Sequence, residues 1–231
     1  MEKQQTMKYV TYLNSGCIDI CENMLISAEK TGIDMDNFFV ACLDDKAYQK
    51  FSYLKNAFKY ADEELTEYQD WTFDANSGFR KIHYYKWPII QKVYEEYKEL
   101  CWVDTDIVFL RDPSKYLSGH KTFRAQNDSP GHRACGGFLV FNDSDITESL
   151  IDDMASNTTE DDQILLNHYI EGAYKTNYKP LPIDLFPNGK TYYETGDKES
   201  LRENAYIVHN NWMVGIETKM NKFKEEGYWY L

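Results

Sequence analysis

Three aspartate pairs with one intervening residue stand in this 231-residue sequence: Asp34-Met35-Asp36, Asp104-Thr105-Asp106 and Asp143-Ser144-Asp145. With 20 aspartates in the chain, composition alone produces about two such triplets, so context has to separate them. The first and third lie in polar stretches beside Gly32 and Asn142, where aspartate caps helices and makes turns. The middle one interrupts an apolar run, LCWV-DTD-IVFL, that otherwise reads as buried strand. Two carboxylates at the end of a core strand repel each other and carry a desolvation cost unless a cation compensates them. A hard divalent ion does so, and strand alternation is expected to turn Asp104 and Asp106 toward one face for it. Such an ion keeps open positions that bridge to phosphates. His209, ending the apolar Tyr206-Ile207-Val208 run, is the candidate third ligand, and an imidazole shifts the preference from Mg2+ toward Mn2+. Gly215 and Lys219 follow it, the lysine as a point charge suited to a diphosphate.

The elements that must position these groups follow from periodicity. Lys8 to Leu13 alternates as a strand and ends at Asn14-Ser15-Gly16; Ile18 to Lys30 carries a helical apolar face; Phe38 to Leu43 reads as a second strand. That βαβ opening belongs to an α/β fold whose ligands bind outside the carboxyl ends of the strands, which singles out Thr11, Tyr12, Asn14 and Asp44. Lys46 to Asp74 reads as a short helix and a connection, and Ser77 to Tyr97 as two helical pieces meeting at Trp87-Pro88. Leu100 to Val103, Thr122 to Ala125, Gly137 to Phe141 and Tyr206 to His209 read as strands, with a loop from Asp128 to Cys135. Asp161 to Ile170 and Ile216 to Glu226 read as helices, the latter closed by Gly227.

Composition bounds the rest. A chain this long builds a full core without staples, and its 25 basic against 38 acidic residues, net −13, disfavour nucleic acid and anionic lipid as partners. No apolar run reaches the 18 residues a transmembrane helix needs. The opening MEKQQTMKYV does not read as a signal peptide, and five cysteines without a Cys-x-x-Cys pair suit a reducing compartment, so the expected location is cytoplasmic.

The segments YVTYLNSGCIDICENML, FRKIHYYKWPIIQKVYEEY, CWVDTDIVFLRDP, GGFLVFN, DDQILLN, LFPNGK and VHNNWMVGIETKMNKFKEEGYWYL together resemble the nucleotide-diphospho-sugar transferases typified by glycosyltransferase family 77. That resemblance implies a GT-A fold: one α/β domain over residues 1–231 with a Rossmann-like mixed central sheet flanked by helices. Residues 1–112 would form the donor-binding half, ending in the Asp-x-Asp, and residues 113–231 the acceptor half with the C-terminal metal and diphosphate motif. It implies a Mn2+-dependent transfer, with Mg2+ as the other candidate, from a nucleotide-sugar donor, UDP-sugar by analogy, to a glycan or glycoprotein acceptor with retention of configuration.

The resemblance makes Asp104, Asp106 and His209 the metal ligands and Lys219 the diphosphate contact. It places Asn14 and the Thr11-Tyr12 strand end on the nucleoside side, Arg80 and Lys86 as basic donor contacts, and Asp162-Gln163 beneath the sugar. Asp162 is then the candidate far-face nucleophile and Gln163 the support for the oxocarbenium-like state; front-face attack guided by the leaving phosphate is the other route. Gly136-Gly137 would let the donor sugar approach backbone closely. The 128–135 loop would order over donor, and Tyr84, Tyr85, Trp212 and Trp229 would offer an acceptor-sugar platform. The competing reading is a non-catalytic sugar- or nucleotide-binding module on the same fold. Metal-dependent hydrolysis of donor without acceptor separates the two.

Overall fold

In the computed structural model, which describes residues 7–61, 67, 77–129, 133–157 and 160–231, the alternating KYVTYL segment forms the innermost strand, β1 (Lys8–Leu13). The chain then winds outward through α1 (Ile18–Lys30), β2 (Phe38–Cys42), α2 (Asp45–Phe51) and β3 (Asn56–Lys59). It returns by α3 (Gly78–His83) and α4 (Lys86–Tyr97) to β4 (Leu100–Val103), which pairs with the free side of β1. β5 (Ile107–Phe109), α5 (Ser114–Leu117), β6 (Phe123–Ser129), β7 (Arg133–Phe141), α6 (Asp145–Ser156), α7 (Asp162–Glu171) and β8 (Tyr178–Pro180) follow. α8 (Lys198–Asn204), β9 (Ile207–His209) and α9 (Ile216–Glu226) complete the chain.

The seven-stranded sheet has the order β3-β2-β1-β4-β7-β6-β8, with β5 and β9 paired apart from it. β1 to β4 run parallel, β7 pairs antiparallel to β4 and β6 antiparallel to β7. The winding direction reverses between β1 and β4, and the crevice at their carboxyl ends is the topological switch point where such sheets bind ligands. Both faces are apolar. Tyr9, Val40, Cys101 and Val140 meet α1 on one side; Val10, Ala41, Trp102 and Leu139 meet α4, α6 and α7 on the other. Strand alternation divides these residues between the two layers.

The sequence reading holds closely for β1, α1, β4, α7 and α9 and departs elsewhere. The helical break falls at Tyr84-Tyr85, before Pro88. Pro88 is the third residue of α4, where its missing N–H has no helical partner to lose. Asn56–Lys59 is a strand because α2 delivers it to the parallel edge of β2, a placement its polar sequence does not announce. The 128–135 segment is largely β-hairpin: β6 extends to Ser129 and β7 starts at Arg133, so register pairing replaces most of the expected loop, whose residues 130–132 lie outside the described ones. The outer aspartate triplets are local capping devices: Asp34 accepts from the Asp36 N–H, and Ser144 caps α6. Among the described residues no helix is long and apolar enough to cross a membrane.

Candidate active site

β4 ends at Val103, and Asp104-Thr105-Asp106 forms a tight turn into β5. The two carboxylates therefore converge through the turn, and the expected strand alternation is replaced by it. The Asp104 N–H donates to the Gly137 carbonyl at 2.8 Å, extending the β4–β7 ladder by one bond. Pairing of β5 with β9 sets Ile107 opposite His209, and the Asn210 N–H donates to the Asp106 carbonyl at 2.9 Å. One ligand atom from each of Asp104, Asp106 and His209 then lies within 4.8 Å of the others. His209 Nε2 is 3.2 Å from Asp106 Oδ1, and Lys219 Nζ is 2.8 Å from Asp106 Oδ2.

Electrostatics follow from burial. Burial by itself would lower the His209 pKa, but Asp106 outweighs it and the imidazole is pushed up to about 10. Burial likewise opposes the charged form of Asp106, yet Lys219 and His209 hold that carboxyl far below its usual range. His209 Nδ1 meets the Gln126 Oε1 at 2.6 Å, while the Gln126 amide donates to the Phe186 and Pro187 carbonyls at 3.3 and 2.8 Å. With its NH2 committed to carbonyls, Gln126 offers oxygen to the imidazole, so Nδ1 keeps its proton toward Gln126 while Nε2, facing the carboxylates, holds the second proton of the imidazolium.

Two adjacent glycines of β7 back onto two different clusters. A Cβ at Gly137 would lie 2.4 Å from His209 Cε1 and 2.7 Å from Asp104 Oδ2, inside the space the three ligands share. A Cβ at Gly136 would meet Lys86 Nζ at 3.1 Å and Asp162 Oδ2 at 3.5 Å. That second cluster is an ion pair: Lys86, buried, sits 2.8 Å from Asp162 Oδ2 and also donates to the Gly136 carbonyl. Burial opposes both charges. Asp162 nevertheless raises the Lys86 pKa, and Lys86 with His83 lowers that of Asp162. Gln163 accepts from the Gly136 N–H at 2.9 Å and donates to Asp128 at 3.3 Å.

These groups line one cleft of about 610 Å3 at the switch point. Of the sequence-predicted residues, Tyr12, Asn14, Lys86, Asp104, Asp106, Gly136, Gly137, Asp162, Gln163, His209 and Lys219 line it. Four predicted donor-binding positions do not. Thr11 is fully buried on β1. Asp44 caps α2 through the Ala47 N–H and holds the Ser15 N–H at 2.6 Å, so it braces the loop after β1. Arg80 binds Asp161 at 3.2 Å, and Asp161 caps α7; Arg80 thereby sets the start of the helix that carries Asp162 and Gln163. Gly215, at φ +91°, turns the chain into α9. Of the expected aromatic platform only Trp212 reaches the cleft. Trp229 packs among Tyr192, Phe223 and their neighbours instead. Sequence reasoning passed over Gln126 and Asp128, whose partners lie 83 and 35 residues away. The alternating FRAQND segment was the one signal for them.

The donor set of two carboxylates and one imidazole is that of a divalent-cation site. Gly137 leaves open the room a cation needs, so the residues fit such an ion. Residues 34–223 match the nucleotide-diphospho-sugar transferase family along most of the chain. The chain belongs to that family. A curated relative, the UDP-galactose:fucoside alpha-3-galactosyltransferase of Dictyostelium discoideum, is 26% identical over 280 aligned positions, covering 97% of this chain and 43% of that protein. The transferase-family chain described here thus spans less than half the length of that relative. Similar solved structures include a glycosyltransferase involved in the glycosylation of the major capsid of PBCV-1, with TM-score 0.56 and 13% identity over 89% of this chain and 94% of that one. Galactosyltransferase LgtC in complex with donor and acceptor sugar analogs matches with TM-score 0.56 and 13% identity over 88% and 86% of the two chains. The mixed sheet of this family member is accordingly of the GT-A type.

Proposed function

We propose that this domain transfers a hexosyl group, with retention, from a UDP-sugar to a sugar hydroxyl on a glycan or glycoprotein, and that UDP-galactose is the donor. The observation carrying this reading is the Asp104, Asp106 and His209 cluster held open by Gly137 at the switch point. The name of the Dictyostelium relative supports galactose as the sugar and a fucoside as the acceptor. The similarity to glycosyltransferase family 77 belongs to the same reading.

Asp104, Asp106 and His209 would hold the divalent ion, Mn2+ by the imidazole argument, and the ion supplies charge neutralisation for the diphosphate leaving group. Lys219, beside Asp106, adds a second positive charge where negative charge develops. Tyr12 and Asn14, at the end of β1, border the nucleoside end of the cleft. Lys86 and Asp162 present an ammonium and a carboxylate side by side beneath Gly136, a pattern that orients sugar hydroxyls. Because Asp162 is paired with Lys86 and its basicity is depressed, it suits orientation better than covalent attack; this favours attack guided by the leaving phosphate.

The test is hydrolysis of UDP-galactose by the purified domain with Mn2+ and no acceptor, compared with Asp106→Asn. Metal-dependent release of galactose, lost in the variant, supports the transferase reading. Metal-dependent UDP binding with no turnover in water or with methyl fucoside would favour a non-catalytic binding module.

A further inference from the structure

A bulky residue in the left-handed backbone region is uncommon and persists where its surroundings over-determine it. Among the described residues two non-glycines have positive φ. Lys98, at +57°, closes α4, an ordinary place for that conformation. Trp212, at +63°, lies in the 210–215 loop between β9 and α9, away from any helix end. The residues before it are anchored on both sides: Tyr193 donates to Asn210, Asn210 donates to the Lys219 carbonyl, and Asn211 donates to Asp128 at 3.0 Å and accepts from the Gly189 N–H at 2.7 Å. The Trp212 side chain itself hydrogen-bonds to Asp128, and Lys190 Nζ stands 5.3 Å from its ring centroid. A side chain fastened this firmly is still 55% exposed, and it lines the cleft together with the exposed Ile164 and Val214.

Its place along the cleft identifies what it faces. From the metal cluster the contacts run through Gly137 and Gly136 to Gln163, from Gln163 to Asp128, and from Asp128 to Trp212. None of these contacts involves Tyr12 or Asn14, which the proposed function puts at the nucleoside end, and the path passes Gly136, against which Lys86 and Asp162, the pair proposed to lie under the transferred sugar, are packed. The next occupant beyond that sugar is the molecule that receives it. Axial C–H groups of a pyranose carry partial positive charge and suit the negative face of an indole, while a carboxylate accepts from sugar hydroxyls. We infer that Trp212 and Asp128 form the acceptor seat of this enzyme, a pyranose lying on the indole face with a hydroxyl donated to the Asp128 carboxylate. The inference rests on the transferase reading above.

The test uses the full domain with Mg2+ and UDP, which are diamagnetic, and methyl α-L-fucopyranoside and methyl β-D-glucopyranoside as probes in saturation-transfer NMR. Trp212→Ala removes the ring. Trp212→Asn does the same while accepting left-handed backbone, so that misfolding of the loop is not the cause of a loss. At least one probe binds the wild type, both variants weaken it about tenfold or more, Trp212→Phe restores much of the affinity, and UDP affinity stays within about twofold. Unchanged probe binding in Trp212→Ala overturns the assignment. Equal loss of UDP affinity overturns it too, since the indole would then stack on the nucleobase. No probe binding to a wild type that binds UDP with metal also overturns the seat while sparing the transferase reading; absence of metal-dependent UDP binding removes both.

Discussion

His209 Nδ1 lies 2.6 Å from the side-chain oxygen of Gln126, a residue 83 positions earlier whose own amide is committed to the Phe186 and Pro187 carbonyls. The orientation of the candidate metal ligand is therefore set from behind, by a buried amide on β6. Gln126→Leu removes the acceptor and lets the imidazole choose the other tautomer. Loss of such a supporting partner typically weakens metal affinity by about 10–100-fold. Isothermal titration with Mn2+ measures it; an unchanged dissociation constant would mean that packing alone orients His209. The variant also leaves two carbonyls without a donor, so a stability loss of about 1–3 kcal/mol accompanies it.

Metal affinity should depend on pH through the same histidine. In the metal-free protein burial favours neutral His209, but Asp106 reverses this and raises the pKa to about 10. A metal ion must displace that proton, so apparent Mn2+ affinity rises with pH, about tenfold per unit while His209 stays protonated. Titrations at pH 7 in buffers of different ionisation enthalpy should report about one proton released per ion bound. Without metal the sign is opposite: the raised pKa contributes stability that is fully present below about pH 6.5 and lost as pH climbs through 10. A flat affinity between pH 6 and 8 would show that His209 is already neutral before the ion arrives.

Gly137→Ala and Gly136→Ala should separate although the residues are neighbours. The added methyl at 137 meets His209 Cε1 at 2.4 Å and Asp104 Oδ2 at 2.7 Å, so it destroys Mn2+ binding and costs about 1–3 kcal/mol through overpacking. At 136 it meets the far end of Lys86 at 3.1 Å, which can shift. That variant keeps Mn2+ binding and loses turnover instead. Mn2+ titration and urea melts on both proteins decide the matter, and retention of metal by Gly137→Ala would remove this cradle from the site.

Lys86→Met leaves the half-buried, cleft-lining Asp162 carboxylate without its buried cation. Breaking a fully buried pair costs about 3–5 kcal/mol and this cleft-facing one less, whereas removing both partners is close to neutral. Lys86→Met should therefore melt well below wild type, and Lys86→Met with Asp162→Leu should recover most of the loss. Because the Asp162 pKa is held low by Lys86 and His83 against its burial, the wild-type contribution exists above about pH 3.8 and fades as pH falls below it. Additive effects in the double variant, measured by urea denaturation at pH 7, would contradict a direct coupling.

Much of this site is local in origin. The Asp104-Thr105-Asp106 triplet breaks an apolar run, and that interruption is legible because two carboxylates at the end of a core strand have few uses besides holding a cation. α1, α7 and α9 follow from apolar spacing and the residues that end them, and β1 from its alternation. His209 was reachable because it ends an apolar strand, and Lys219 because it stands one turn into the helix that follows. The tertiary structure alone decided which of the remaining polar residues meet. Sheet register carries Gln126 behind His209, Asp128 beside Gln163 and Asn211, and the two glycines of β7 against opposite clusters. It also withdrew Thr11, Asp44, Arg80 and Gly215 from the cleft and gave three of them bracing or turning roles. The physical reason is separation: a propensity or a cap is set by atoms a few residues apart, while these contacts depend on strand pairings across tens of residues that no local pattern encodes.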